Sequence, residues 1–206
     1  MRDKRFQPTP SNITKGDVTV GKVKDLAAEL ELFQKEQRDH NLVWDHRFHT
    51  LGQRNLLGHL LMVQFSIMAE LNNYIQNEFF KELMVEGPQR YRMIDLSVSG
   101  FSGCSSILSI CNVRLIDVLK PVEFNWEECA SFGIGHLGRF AKTMTEDPLS
   151  IKQSTVVDSV SMLLNIYFRL FEFASHHCSD VFELLDRLKH LQHREESKSI
   201  FSDSIE

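Results

Sequence analysis

WEECASFGIGHLGRFAKTMTEDPLSIKQSTVVDSVSMLLNIYFRLFEFASHHC, residues 126–178, decides the fold. It divides into two amphipathic segments around Thr145-Glu146-Asp147-Pro148. Before the break Ala130, Ile134, Leu137, Ala141 and Met144 recur every three or four residues. After it Val156, Val160, Leu163, Tyr167, Leu170 and Ala174 do the same, so both segments carry a helical period. Asp147-Pro148 suits the start of the second helix. The carboxylate caps free N–H groups, and proline at the first helical position gives up a donor that has no partner there.

The 206 residues are 42% apolar and 25% charged, enough for one sizeable core or two small closely packed ones. A net charge of −5 argues against nucleic acid as the main partner, since phosphate is usually met by a basic surface. The first six residues are charged with no apolar signal region behind them. The longest uncharged run, Leu96 to Val113, holds six serines and two glycines, a poor membrane span. Four cysteines without a Cys-x-x-Cys pair fit free thiols in a reducing compartment. An intracellular, cytoplasmic chain with no membrane partner is the expectation.

Outward from the deciding stretch, residues 1–20 read as a flexible arm. A helix is predicted from Val23 to Asp39, with Leu26, Leu30 and Phe33 on one side. The next runs from Gln53 to Leu83 along Leu57, Leu61, Met68, Leu71, Ile75 and Phe79, interrupted by Gln64. A third, around Asp95, is uncharged all round for nearly five turns. One of its stripes is Ile94, Val98, Phe101 and Leu108; another is Asp95, Ser99, Ser102, Ser106 and Ser109. Such a surface belongs in the centre of a bundle, although Gly100 and Gly103 allow a break. A connection at Lys120-Pro121 leads to the deciding pair. Ser179-Asp180 then caps a last helix through Val181, Leu184, Leu185, Leu188 and Leu191, with a disordered tail over 196–206.

Several motifs fail on context. Gly133, Gly135 and Gly138 spell a dinucleotide fingerprint, but no strand precedes them. His46 with His49, and His190 with His193, offer too few ligands for zinc. No nucleophile elbow or phosphate loop is present.

GHLGRFAKTM (135–144) and VVDSVSMLLNIYFRLFEFA (156–174) resemble the two core helices of the MazG-like, all-α nucleoside-triphosphate pyrophosphatases, which include the dimeric dUTPases. The family pattern is Gly-Glu-x-Gly-Glu-x-Ala-Glu on one helix and Glu-x-x-Asp on the next. Carboxylates three apart share a helix face, and two opposed faces can hold magnesium against a triphosphate. This chain keeps the frame and loses the ligands. His136, Arg139 and Lys142 form a cationic row at the first helix's carboxylate positions. Thr155 replaces the glutamate of the second helix, and Asp158 is its residual acid.

MAELNNYIQNEFFKEL (68–83) and YRMIDLSVSGF (91–101) are similar to the same pair in the dimeric dUTPases. Glu70 and Asp95 match metal ligands there, while Ile67 and Arg92 stand at the other two ligand positions. The echo of MIDLSVS in VVDSVSM, each after a Gly-His-Leu step, points to a duplication. By the same resemblance Gln34, in ELFQKEQRDHNLVW (31–44), matches a base-holding glutamine. Lys189 and Arg194, in LKHLQHREE (188–196), match phosphate and sugar contacts. A solvated helix glutamine and the wet face of an amphipathic helix are the plainer readings of Gln34 and of the cationic row.

The expectation is an all-α bundle of five or six helices, a tandem MazG-like unit over 21–195 with half-repeats of about 50–120 and 124–178. Three functions stay open. One is a catalytically impaired relative that binds a nucleotide or a protein partner, as a homodimer or hetero-oligomer. Another is a working magnesium-dependent pyrophosphatase on dUTP or a related nucleotide, with Glu70 and Asp95 as ligands and Glu78 filling in. The third is a structural helical subunit with no small ligand.

Overall fold

The computed structural model describes residues 20–45, 47–76, 88–120, 126–146, 153–175 and 181–202. These residues are all-helical. In chain order the helices are α1 (Val20–Trp44), α2 (Arg47–Thr50), α3 (Gln53–Gln76), α4 (Pro88–Ile110), α5 (Leu115–Val118), α6 (Trp126–Glu146), α7 (Gln153–Ala174) and α8 (Val181–Ser202). α2 and α5 are single turns, so six long helices carry the architecture, all of 21 residues or more.

Four of them form the centre. α3 packs on α4, α4 on α7, α7 on α6, and α6 back on α3, closing a ring of neighbours. α1 and α8 cover α4 from outside. The expected seams explain most of this. Leu57, Leu61, Met68, Leu71 and Ile75 are buried on α3, and the whole row Val156, Val160, Leu163, Tyr167, Leu170 and Ala174 is buried on α7. α4, central as expected, is the one described helix long and apolar enough to cross a membrane. Most of that stretch is buried inside the protein, so a single-span membrane protein is not indicated.

The α6 seam differs from expectation. Its buried row is Ala130, Gly133, Leu137, Phe140 and Met144, while Ile134 is 41% exposed. The cause is Gly133: a Cβ there would come within 2.5 Å of the Met68 side chain, so α3 takes the space and the seam runs one residue earlier. The break anticipated near Gly100 and Gly103 does not occur, and α4 is continuous. Added Cβ atoms would lie 2.3 Å from the Tyr167 ring and 2.1 Å from the Gln64 amide respectively. The helix cost of these glycines is offset by close packing of α7 and α3 against α4.

α4 ends at a residue in the left-handed region, Asn112 (φ 58°), with the Val113 N–H bonded back to the Leu108 carbonyl at 2.9 Å. Asn165 then holds the connector that follows α5. It accepts from the Lys120 N–H at 2.7 Å and donates to the Val118 carbonyl at 3.0 Å. At the far end of α7, Arg90 Nε donates to the Ala174 carbonyl at 2.6 Å, a cation satisfying a helix C-terminus. α8 is helical through Ser202, beyond Glu195, where a disordered tail was expected. The arm before Val20, the Asp147-Pro148 and Ser179-Asp180 caps, Phe79, Pro121, His46 and Glu78 lie outside the described residues.

Candidate functional site

Glu70, on α3, and Asp95, on α4, are linked through Arg92. Arg92, one turn before Asp95, reaches Glu70 with both nitrogens, Nε to Oε1 at 2.7 Å and Nη2 to Oε2 at 2.9 Å. The Tyr74 hydroxyl lies 3.5 Å from Oε1. The hydrogen bond from Arg92 holds the Glu70 carboxyl below the usual carboxylate range, against a smaller opposing effect of burial, and Glu70 in turn raises Arg92. The field of Asp95 also reaches Arg92. Asp95 itself accepts from Arg187 on α8, Nη2 at 2.9 Å and Nε at 3.3 Å.

Each acid that matches a magnesium ligand is therefore joined to a guanidinium from the same fold. Magnesium needs open carboxylate oxygens in near-octahedral array. Here both oxygens of Glu70 are taken by a bidentate fork, and a positive charge sits at the third ligand position. Among the described residues, no three His, Cys, Asp or Glu side chains gather as a metal group. The residues present do not fit the cation.

Among its described residues the second half holds no comparable cluster. His136 is half-buried with its Nδ1 unpartnered, and burial, then Arg139, pushes its pKa down. Arg139, Lys142 and Asp158 are exposed. On α8, Lys189 is half-buried, and the Arg194 side chain lies outside the described residues. The cation that α8 does bring to the acids is Arg187, which sequence reasoning missed. The signal was there: Arg187 falls between Leu184 and Leu188 on the buried face, the one charge in that row.

Gln34 is used inside the protein. Its Nε2 donates to the Val113 carbonyl at 2.7 Å and to Ser109 Oγ at 3.1 Å, and its Oε1 accepts from the Leu115 N–H at 3.1 Å. It starts a polar seam between α1 and α4. Gln37 accepts from Ser102 at 2.9 Å, and Asn41 donates to Ser106 at 2.8 Å. The serine stripe of α4 is thus the docking line for α1, which also buries Leu30 and Phe33, the latter 6.4 Å from Phe101 between ring centroids.

Beside this seam two adjoining clefts open, of about 420 and 280 Å³. The larger has an apolar wall of Leu42, Phe48, Leu51, Leu56 and Ile110, with Asn41, Gln53 and Asn112 on its polar side. The smaller runs along Glu31, Gln34, Lys35 and Arg114. Arg38, Ser109 and Asn112 line both. Arg114 is paired with Asp117 at 2.9 Å and with Glu31 at 3.6 Å, whereas Arg38 is exposed with no partner among the described residues. Gln34, Arg38 and Asn41 follow one another at helical spacing, a signal that only the single glutamine of the family pattern drew attention to.

None of the known protein families, curated proteins or solved structures matches this chain.

Proposed function

We propose that the chain is a diverged, catalytically impaired relative of the MazG-like pyrophosphatases that binds a nucleotide without hydrolysing it. The observation that carries this reading is the arginine pairing of both surviving acids. In the family the two acid helices hold a divalent cation that offsets triphosphate charge. In this chain Arg92 and Arg187 supply positive charge to those acids directly, so the edge is neutralised from within. Ile67, partly buried against the core, adds no oxygen ligand.

Binding is supported by the α1–α2–α4 clefts. Their volume suits a nucleotide-sized molecule. The apolar wall around Phe48 and Leu51 suits a base, Asn41 and Asn112 offer amides to its polar edge, and Arg38 with Lys35 suits phosphate.

The test is twofold. Purified protein with magnesium is offered each deoxynucleoside triphosphate, and pyrophosphate release is measured; none is expected above background. Turnover that Glu70→Ala abolishes would make the chain a working pyrophosphatase and overturn the reading. Thermal shift is then recorded with nucleotides in the absence of metal. A rise in Tm that Arg38→Ala removes is expected, since a ligand preferring the folded state stabilises it. No shift with any nucleotide leaves the structural-subunit reading in its stead.

A further inference from the structure

A separate cleft of about 410 Å³ lies where α1, the connector after α5, α7 and α8 come together. It shares no lining residue with the clefts along Gln34 and Arg38. Its α1 residue, Leu26, lies twelve positions before Arg38, about 18 Å along the helix. Asn165, Phe168, Arg169 and Glu172 fall at helical spacing on one face of α7 and form one side. Leu26, Leu119 of the connector and Val181 of α8 complete an apolar wall with Phe168. All four are half-buried against the core, so apolar surface still open to water is gathered in one concavity.

The polar groups on the α7 side are already answered. Asn165, besides its bonds to the connector, donates to the Ser161 carbonyl at 2.6 Å. Arg169 Nη1 lies 3.3 Å from Glu172 Oε2, an ion pair within α7. Lys120 is the charge left over. Asn165 pins its backbone, while its exposed ammonium has no partner among the described residues. The cleft therefore joins an apolar wall to one net positive charge.

Volume and charge decide the occupant. A helix about 10 Å across fills roughly 400 Å³ in a single turn, so a partner protein's helix has no room to lie along the cleft. The volume is that of a small-molecule site. A phosphate group favours a guanidinium fork, and the one here is engaged by Glu172. An ammonium is a point charge, which a single carboxylate answers. We infer that this cleft binds a small amphipathic monoanion, an apolar chain lying along Leu26, Leu119, Phe168 and Val181 and ending in a carboxylate at Lys120. The ligand class is that of medium-chain fatty acids. This goes beyond the nucleotide reading and does not depend on it.

The test is calorimetry of the full chain with sodium decanoate, kept below the concentration at which it forms micelles. One decanoate per chain is expected, with a Kd of about 10–100 μM. Decanol, with the same chain and no charge, and decyltrimethylammonium, with the opposite charge, are each expected to bind roughly fivefold more weakly or worse. Lys120→Glu changes only an exposed side chain. It is expected to weaken decanoate roughly tenfold and to leave decanol as it was. Leu26→Trp, which fills the cleft from α1, is expected to abolish decanoate binding with helical circular dichroism unchanged. No heat with decanoate at about 1 mM, decanol binding as tightly as decanoate, an affinity for decanoate unmoved by Lys120→Glu, or binding that survives Leu26→Trp would each overturn the inference.

Discussion

At the scale of single residues, Arg92 and Glu70 show how little an exposed ion pair weighs in stability and how much in chemistry. Their side chains are 53% and 36% exposed, so the pair contributes roughly 0.2–1 kcal/mol after solvent screening. The folded pKa of Glu70 is depressed, chiefly by the Arg92 hydrogen bond. Its contribution is therefore present above the unfolded carboxylate value and is lost as pH falls through the folded one. Arg92→Ala is expected to cost less than about 1 kcal/mol at neutral pH, a difference that shrinks below about pH 4 and in high salt, as measured by urea denaturation. Ile67→Glu with Arg92→Glu is expected to create a magnesium site visible by calorimetry, where the wild type gives no heat of binding. His136 acts in the same direction at higher pH, although there it is the neutral form that the fold favours. Its folded pKa is lowered, so the unfolded chain takes up the proton first and stability falls as pH drops below the unfolded value of about 6.5. His136→Gln is expected to flatten that part of the stability profile.

At the scale of elements, the joint between α1 and α4 depends on Gln34. Its amide answers the carbonyl of Val113 and the N–H of Leu115, backbone groups of the turn after α4. Gln34→Leu keeps the volume but leaves both groups without that partner, and is expected to cost about 1–3 kcal/mol and to speed hydrogen exchange at the Leu115 amide. The contact of α4 with α7 is steric instead. Gly100→Ala sets a methyl group against the Tyr167 ring, 2.3 Å away, and is expected to cost about 2–3 kcal/mol in chemical denaturation. Adding Tyr167→Leu is expected to recover part of it. Both joints were half legible beforehand. The serine stripe and Gly100 are plain in the sequence, but their partners lie 65 or more residues away along the chain.

At the scale of the whole molecule, one core joins all six long helices, and three thiols serve as its reporters. Cys104, Cys111 and Cys129 are buried, and desolvation raises each thiol pKa, that of Cys129 to about 11. A thiolate in such surroundings is scarce, so these three are expected to resist labelling at neutral pH and to react only at the rate of unfolding, followed by mass spectrometry.

Helical class and the main buried rows were written in the order of residues, because a period near 3.6 is a local property that needs no partner to be read. The row of α7 and most of that of α3 could be taken from the letters alone. What needed three dimensions was every statement about what fills a space or answers a charge. Ile134 faces water because Met68, 66 residues earlier, occupies the gap at Gly133. Asp95 is met by Arg187 because α8 folds back across α4. Electrostatics and packing act over a few ångströms of space, and chain separation carries no record of that distance.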